Sequence, residues 1–159
     1  MTFDEAIERI MSPSIEGGYV NDPIDRGGET KYGISRAAYP TLDIAGLTRD
    51  MAKAIYRRDF WDRAHTDDIP DNLRLIYFDM TVNHGIDGAV RILQRACNTL
   101  PDMHVKEDGD LGPRTLDAAD RVTPDRLRMM RLAYYADIVI RNPKQGRFWN
   151  GWKRRAFEI

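Results

Sequence analysis

The chain has 159 residues, of which 42% are hydrophobic and 31% charged, with a formal net charge of -1 and a single cysteine. That length and apolar content suit one domain with a proper core and argue against disorder. No run of about 18 apolar residues exists to cross a membrane, and Cys97 has neither a disulfide partner nor the spaced ligands of a zinc site. The near-zero net charge hides an asymmetry: residues 1–70 and 71–120 each carry -4, whereas residues 121–159 carry +7.

Taken in order, the chain reads mostly as helix. Thr2 and Glu5 have capping-box spacing, and Phe3, Ala6, Ile7, Ile10 and Met11 form one apolar stripe that Pro13 ends. From Ser14 to Gly33 the periodicity disappears and five glycines occur, at 17, 18, 27, 28 and 33. The Tyr19–Gly33 part can form a small hairpin, almost the only strand signal in the chain. Helical patterning resumes after Ser35, and again after Thr48 with Met51, Ala54, Ile55, Phe60 and Trp61.

A helix is expected from Pro70 to Asn83-His84-Gly85, with Gly85 as its C-terminal cap, and another from about Asp87 to Leu100 using Val90, Leu93 and Cys97. Turn chemistry at Asp108-Gly109-Asp110-Leu111-Gly112-Pro113 leads into a short helix through Leu116 and Ala119. Thr123-Pro124 opens a long helix to about Arg141, and Gly146–Ile159 forms a last short one. The fold class is mainly α. The N-terminus carries four charges in its first nine residues and no hydrophobic signal core, so cytosolic synthesis is expected.

Chemistry concentrates in the aperiodic segment. Glu16 is followed by Gly17 and Gly18, which let the backbone approach a ligand closely. A glutamate beside an aromatic, here Tyr19, and partly desolvated, keeps its proton near neutral pH as a general acid must. Asp22 and Asp25 follow six and nine residues on, and two carboxyls across a substrate are what glycoside hydrolysis requires. Turns and cation sites use the same residue types. Tyr19 and Tyr32 can stack on sugar rings or pack the rim, Asn21 can bind an N-acetyl group or shape the turn, and Asn83 can line a cleft or cap a helix. Cys97, at helical spacing with apolar residues, reads as buried packing. Asp108-Gly109-Asp110 has the start of a calcium loop without its later ligands and reads as a turn.

The string EGGYVNDPIDRGGETKYGIS resembles the signature of glycoside hydrolase family 108, the phage and bacterial N-acetylmuramidases. LTRDMAKAIYRRDFW resembles the helix that follows it, while FDMTVNHGIDGAVRILQRACNTL with DGDLGPRTLDAA resembles a peptidoglycan-binding region. The resemblance implies a lysozyme-like helical fold, with residues 1–85 catalytic and residues 86–159 binding peptidoglycan, both packed into one globular unit. It implies cleavage of the β-1,4 bond between N-acetylmuramic acid and N-acetylglucosamine, with no metal or cofactor. Glu16 stands at the family's essential glutamate. Lysozymes of a neighbouring family place Glu, eight residues, Asp, five residues, Thr; here Glu16 and Asp25 keep the first spacing and Thr30 comes one residue early. The expected catalytic residues are therefore Glu16, Asp25 and Thr30, with Asp22 competing for the second carboxylate, and Tyr19, Asn21, Asp22, Tyr32 and Asn83 as substrate contacts. The expected context is a monomeric phage endolysin made in the host cytoplasm and released to the wall through a separate pore.

The C-terminal basic residues, Arg126, Arg128, Arg131, Arg141, Lys144, Arg147, Lys153, Arg154 and Arg155, interleave with Tyr134, Tyr135, Phe148, Trp149 and Trp152. They match no nucleic-acid-binding motif. They point to electrostatic contact with an anionic wall or outer membrane, with Lys153, Arg154 and Arg155 expected to be exposed.

Overall fold

A computed structural model of the chain describes residues 1–12, 19 and 28–159. They form two compact units, one of Thr2–Asp59 and one of Phe60–Ile159 together with Met1. No helix among the described residues is long and apolar enough to cross a membrane.

In the first unit, α1 (Phe3–Ile10) starts at the expected capping box: Thr2 Oγ1 accepts from Glu5 N at 3.3 Å, and Thr2 N donates to Glu5 Oε2 at 2.7 Å. Its stripe, Phe3, Ala6, Ile7 and Ile10, is buried. A two-stranded antiparallel hairpin follows, β1 (Thr30–Lys31) and β2 (Ile34–Ser35), with Thr30 opposite Ser35. It lies at the far edge of the segment where a hairpin is expected and runs past Gly33. Tyr32 and Gly33 form the turn with φ of 53° and 76°. Two positive φ values in a two-residue loop are what the twist of a tight hairpin demands.

The helix expected directly after Ser35 does not form. Tyr39 N bonds Ser35 O at 3.0 Å, but Pro40 follows and disfavours helical geometry at Tyr39. Beyond it, Asp43 Oδ1 takes Gly46 N at 3.1 Å, and Arg36 Nη1 donates to Leu42 O at 2.7 Å, so these residues close local turns instead. α2 (Arg49–Tyr56) begins where expected, capped by Thr48. Its buried face is Ala52, Ile55 and Tyr56, whereas Met51 and Ala54, which the pattern assigns to the stripe, are exposed. Glu8 of α1 bridges Arg49 and Lys53 of α2, and these cations hold its carboxyl down at about 2.

A π-helical turn (Arg57–Asp62) follows α2 directly, and a short 3-10 turn (Thr66–Asp68) lies beyond it. The second unit is organised around α3 (Arg74–Asn98), which packs against α5 (Pro124–Arg141) and α4 (Pro113–Ala119). α6 (Trp149–Glu158) packs on α5 after a 3-10 stretch (Pro143–Phe148). Thr123 caps α5 with Pro124 in the first turn, as its sequence signal requires. α3 is two helical pieces on either side of Gly85, whose φ of 74° and ψ of 166° are not helical. The capping glycine thus ends the first piece, and the second starts immediately, giving a kink rather than a loop.

Cys97 is buried, and burial pushes its thiol up to about 11, which suits packing and not nucleophilic chemistry. The Asp108–Gly112 turn is tied to α3 by Gln94, whose Nε2 donates to Asp108 Oδ1 at 2.9 Å and whose Oε1 accepts from Gly109 N at 3.0 Å. Those bonds explain the turn reading of Asp108-Gly109-Asp110.

Candidate active site

Glu16, Asn21, Asp22 and Asp25 lie outside the described residues. The hairpin that closes their segment is described, and its side chains form a charged brace. Glu29, directly before β1, has a mostly buried side chain and pairs with Arg36 just after β2, Oε2 to Nη2 at 2.5 Å. Backbone joins the same residues, Arg36 N donating to Glu29 O at 2.8 Å. Tyr19 donates its hydroxyl to the other oxygen, Glu29 Oε1, at 3.0 Å. The guanidinium of Arg36 and, secondarily, the Tyr19 hydroxyl hold the Glu29 carboxyl below the usual range. Glu29 is therefore an ionised strut at neutral pH.

Thr30 is half-buried, and its hydroxyl donates to Gly28 O at 3.1 Å. With its proton so used, the oxygen retains a lone pair that can accept from a water or a sugar hydroxyl. Gly28 has φ of 63°, a conformation that favours glycine. Tyr32 is half-buried at the hairpin turn, where its carbonyl accepts from Tyr56 Oη at 3.0 Å and its ring lies 5.7 Å from Lys31 Nζ. Tyr19, half-exposed, and Thr30 are thus brought to one hairpin.

Asn83 belongs to the second unit, at the end of the first piece of α3. Its side chain is exposed at the tip but anchored, Nδ2 donating to Asp79 O at 2.8 Å and reaching Asp79 Oδ2 at 3.3 Å. Asp79 is the centre of a network that the apolar pattern of α3 conceals. It is fully buried, takes Arg131 Nη2 of α5 on Oδ2, and takes Arg155 Nη2 of α6 on Oδ1 at 2.9 Å. Arg131 is itself fully buried. Two of the nine basic residues counted as a wall-facing surface are thus internal. Arg155 in particular is held inward by Asp79 and is not an exposed cation like Lys153 and Arg154. Nothing in the local sequence separates these arginines from their neighbours; the one signal is Asp79 within an otherwise apolar helical run.

His84, next to Asn83, packs between the rings of Tyr134 and Tyr135, at centroid distances of 4.9 and 5.0 Å. Burial, reinforced by the nearby positive charge of Arg131, pushes its pKa down to about 3, so the imidazole is neutral.

Residues 9–85 match the family model described as Glycosyl hydrolase 108, and residues 88–157 match the one described as Predicted Peptidoglycan domain. The chain thus carries a glycosyl hydrolase 108 segment followed by a predicted peptidoglycan domain. Its fold is similar to a solved structure titled Structure of Brucella abortus SagA, with a TM-score of 0.76 and 29% identity over 97% of this chain and 88% of that one. No curated protein sequence matches it. The mainly helical class expected of this lysozyme-like family is the class the structure has, and the family is one of glycoside hydrolases acting on peptidoglycan. The two matched segments meet inside α3, beside Gly85.

Proposed function

We propose that the chain is an N-acetylmuramidase that hydrolyses the β-1,4 bond between N-acetylmuramic acid and N-acetylglucosamine, and that it serves as a phage endolysin. The observation that carries this reading is Glu16-Gly17-Gly18 inside the segment that matches the hydrolase family. The brace at Glu29 supports it. With Glu29 kept ionised by Arg36, it cannot supply a proton to a leaving group, and Glu16 is left as the glutamate of this segment for that task.

In this mechanism Glu16 is protonated and gives its proton to the glycosidic oxygen as the bond breaks. The sugar gains oxocarbenium character, and a water held by the Asp25 carboxylate attacks the anomeric carbon from the opposite face, passing its proton to Asp25. Thr30, whose hydroxyl proton is committed to Gly28 O, accepts from that water. An inverting course follows, requiring carboxyls about 6.5–9.5 Å apart. Tyr19, Asn21, Asp22, Tyr32 and Asn83 contact the glycan. Residues 1–85 carry the chemistry and residues 86–159 hold the strand.

Mass analysis of fragments released from purified peptidoglycan tests the reading. Reducing muramic ends are expected from the unsubstituted chain, and Glu16→Gln is expected to slow release by about a hundredfold or more while remaining folded. Anhydro ends would mean transglycosylation, and no release would mean a binding module. Asp25→Asn is expected to abolish release with glycan binding kept, and Asp22→Asn to act mainly on stability; the opposite pattern moves the second carboxylate to Asp22.

A further inference from the structure

One cavity of the second unit contains polar atoms that have nothing to bond. It measures about 220 Å³ and is lined by Asn83 and His84 of α3, Tyr134, Tyr135 and Ile138 of α5, and Trp152 of α6. Tyr135 is 2% exposed and stacks on the Trp152 indole, with centroids 4.9 Å apart and planes 12° from parallel. His84 Nε2 and Tyr135 Oη are both buried without a hydrogen-bond partner among the described residues. Arg131 lies over the face of the Tyr135 ring, 5.7 Å from its centroid. Burial raises the phenol's pKa, which leaves Oη a neutral donor and acceptor.

Buried polar groups in native proteins are nearly always paired, so two orphans on one cavity call for a guest. Water could answer the polar atoms, but it would leave two phenol rings, an indole and Ile138 wetted. The guest that satisfies both halves is amphipathic. It is also uncharged, since His84 is neutral and no lining residue bears a charge at neutral pH; the nearby Arg131 and Arg155 are already paired with Asp79. At about 220 Å³ the space falls below the roughly 300–1,000 Å³ of pockets for drug-sized ligands, which limits it to one ring. A pyranose has an apolar C–H face for aromatic walls, and an acetamido group adds a donor, an acceptor and a methyl for Asn83, His84 and Ile138.

We propose that this cavity is a subsite for a single N-acetylated pyranose ring of the glycan strand. The inference rests on the glycan-substrate reading above and locates part of the binding in the second unit. Asn83 and His84 come from the segment matching the hydrolase family, while Tyr134, Tyr135, Ile138 and Trp152 come from the segment matching the peptidoglycan domain. Both segments thus build the subsite.

The test is a titration of the 159-residue Glu16→Gln chain, in which turnover is expected to be slowed about a hundredfold or more, followed by the NMR signals of its tryptophan indoles. The ligand is the β-1,4 tetramer of N-acetylglucosamine, and the β-1,4 tetramer of glucose is the control. The Trp152 indole is expected to shift with the acetylated tetramer only, while buried Trp61 stays put and reports an intact fold. Trp152→Ala and Asn83→Ala are each expected to weaken binding about tenfold, with Trp152→Phe keeping most of it. A silent Trp152 at saturation, equal binding of the glucose tetramer, unchanged affinity in Trp152→Ala, or no binding at all overturns the subsite. Cleavage of peptidoglycan with Trp152 silent would sink the subsite and leave the hydrolase reading intact. A responsive Trp152 in a chain that releases no fragments would do the reverse.

Discussion

Replacing Asp79 with asparagine should cost about 3–5 kcal/mol of folding stability, the usual consequence of leaving a buried charge uncompensated. Asp79 and Arg131 are both fully buried, and Arg131 Nε and Nη1 have no hydrogen-bond partner among the described residues. The Asp79 carboxylate is therefore what offsets the burial of that guanidinium, and it also anchors Arg155 and Asn83. Against a typical total of about 5–15 kcal/mol, the loss is a large fraction. With a urea dependence of about 2 kcal/mol per molar, the unfolding midpoint should fall by about 1.5–2.5 M. The double variant Asp79→Leu with Arg131→Met removes both buried charges and should recover much of the loss, because Arg155, at 17% side-chain exposure, has a route to water. A fall of less than about 0.5 M in Asp79→Asn, with unchanged slope, would refute the idea that this carboxylate compensates Arg131.

Gly85→Ala should destabilise by about 1–3 kcal/mol, since a φ of 74° with ψ of 166° is open essentially to glycine alone, whereas Gly112→Ala, with open space and ordinary φ, should be near neutral. Chemical denaturation of both variants checks the contrast. His84, neutral in the fold at a pKa of about 3 and free to protonate near 6.5 when unfolded, contributes stability that is present above pH 6.5 and lost as pH falls towards 3. The loss is at most about 1.4 kcal/mol per pH unit, and it should vanish from the difference between the unsubstituted chain and His84→Gln if the imidazole is in fact charged when folded. Neutralising Lys153 and Arg154 together, with Arg155 left in place, should weaken sedimentation with whole cell walls at low salt and not at high salt, given a Debye length of about 8–10 Å at physiological strength. Equal binding at low salt would end the electrostatic role of that face.

Features that depend on a few neighbouring residues were legible in the chain itself. The capping box at Thr2, the cap and proline at Thr123-Pro124 and the glycine stop at Gly85 follow from hydrogen bonds or φ values closed within a few residues. Pattern alone failed after Ser35, where Pro40 and the side chains of Arg36 and Asp43 outcompete a helix, and at Met51 and Ala54, where a short helix leaves the phase of its stripe loosely determined. Family resemblance, carried by Glu16-Gly17-Gly18 and its following residues, reached the hydrolase family because that motif is continuous in sequence.

The composition and periodicity of this chain by themselves determined a mainly helical protein, its caps, and an aperiodic acidic segment carrying Glu16. Only the tertiary structure decided which charges are internal. Asp79 meets Arg131 and Arg155 across 52 and 76 residues, Glu29 is committed to Arg36 across a hairpin, and an aromatic cavity gathers α3, α5 and α6 around His84. Nearest-neighbour chemistry sets a cap or a turn, but burial and ion pairing depend on which helix faces meet, and that is settled by packing the whole unit at once.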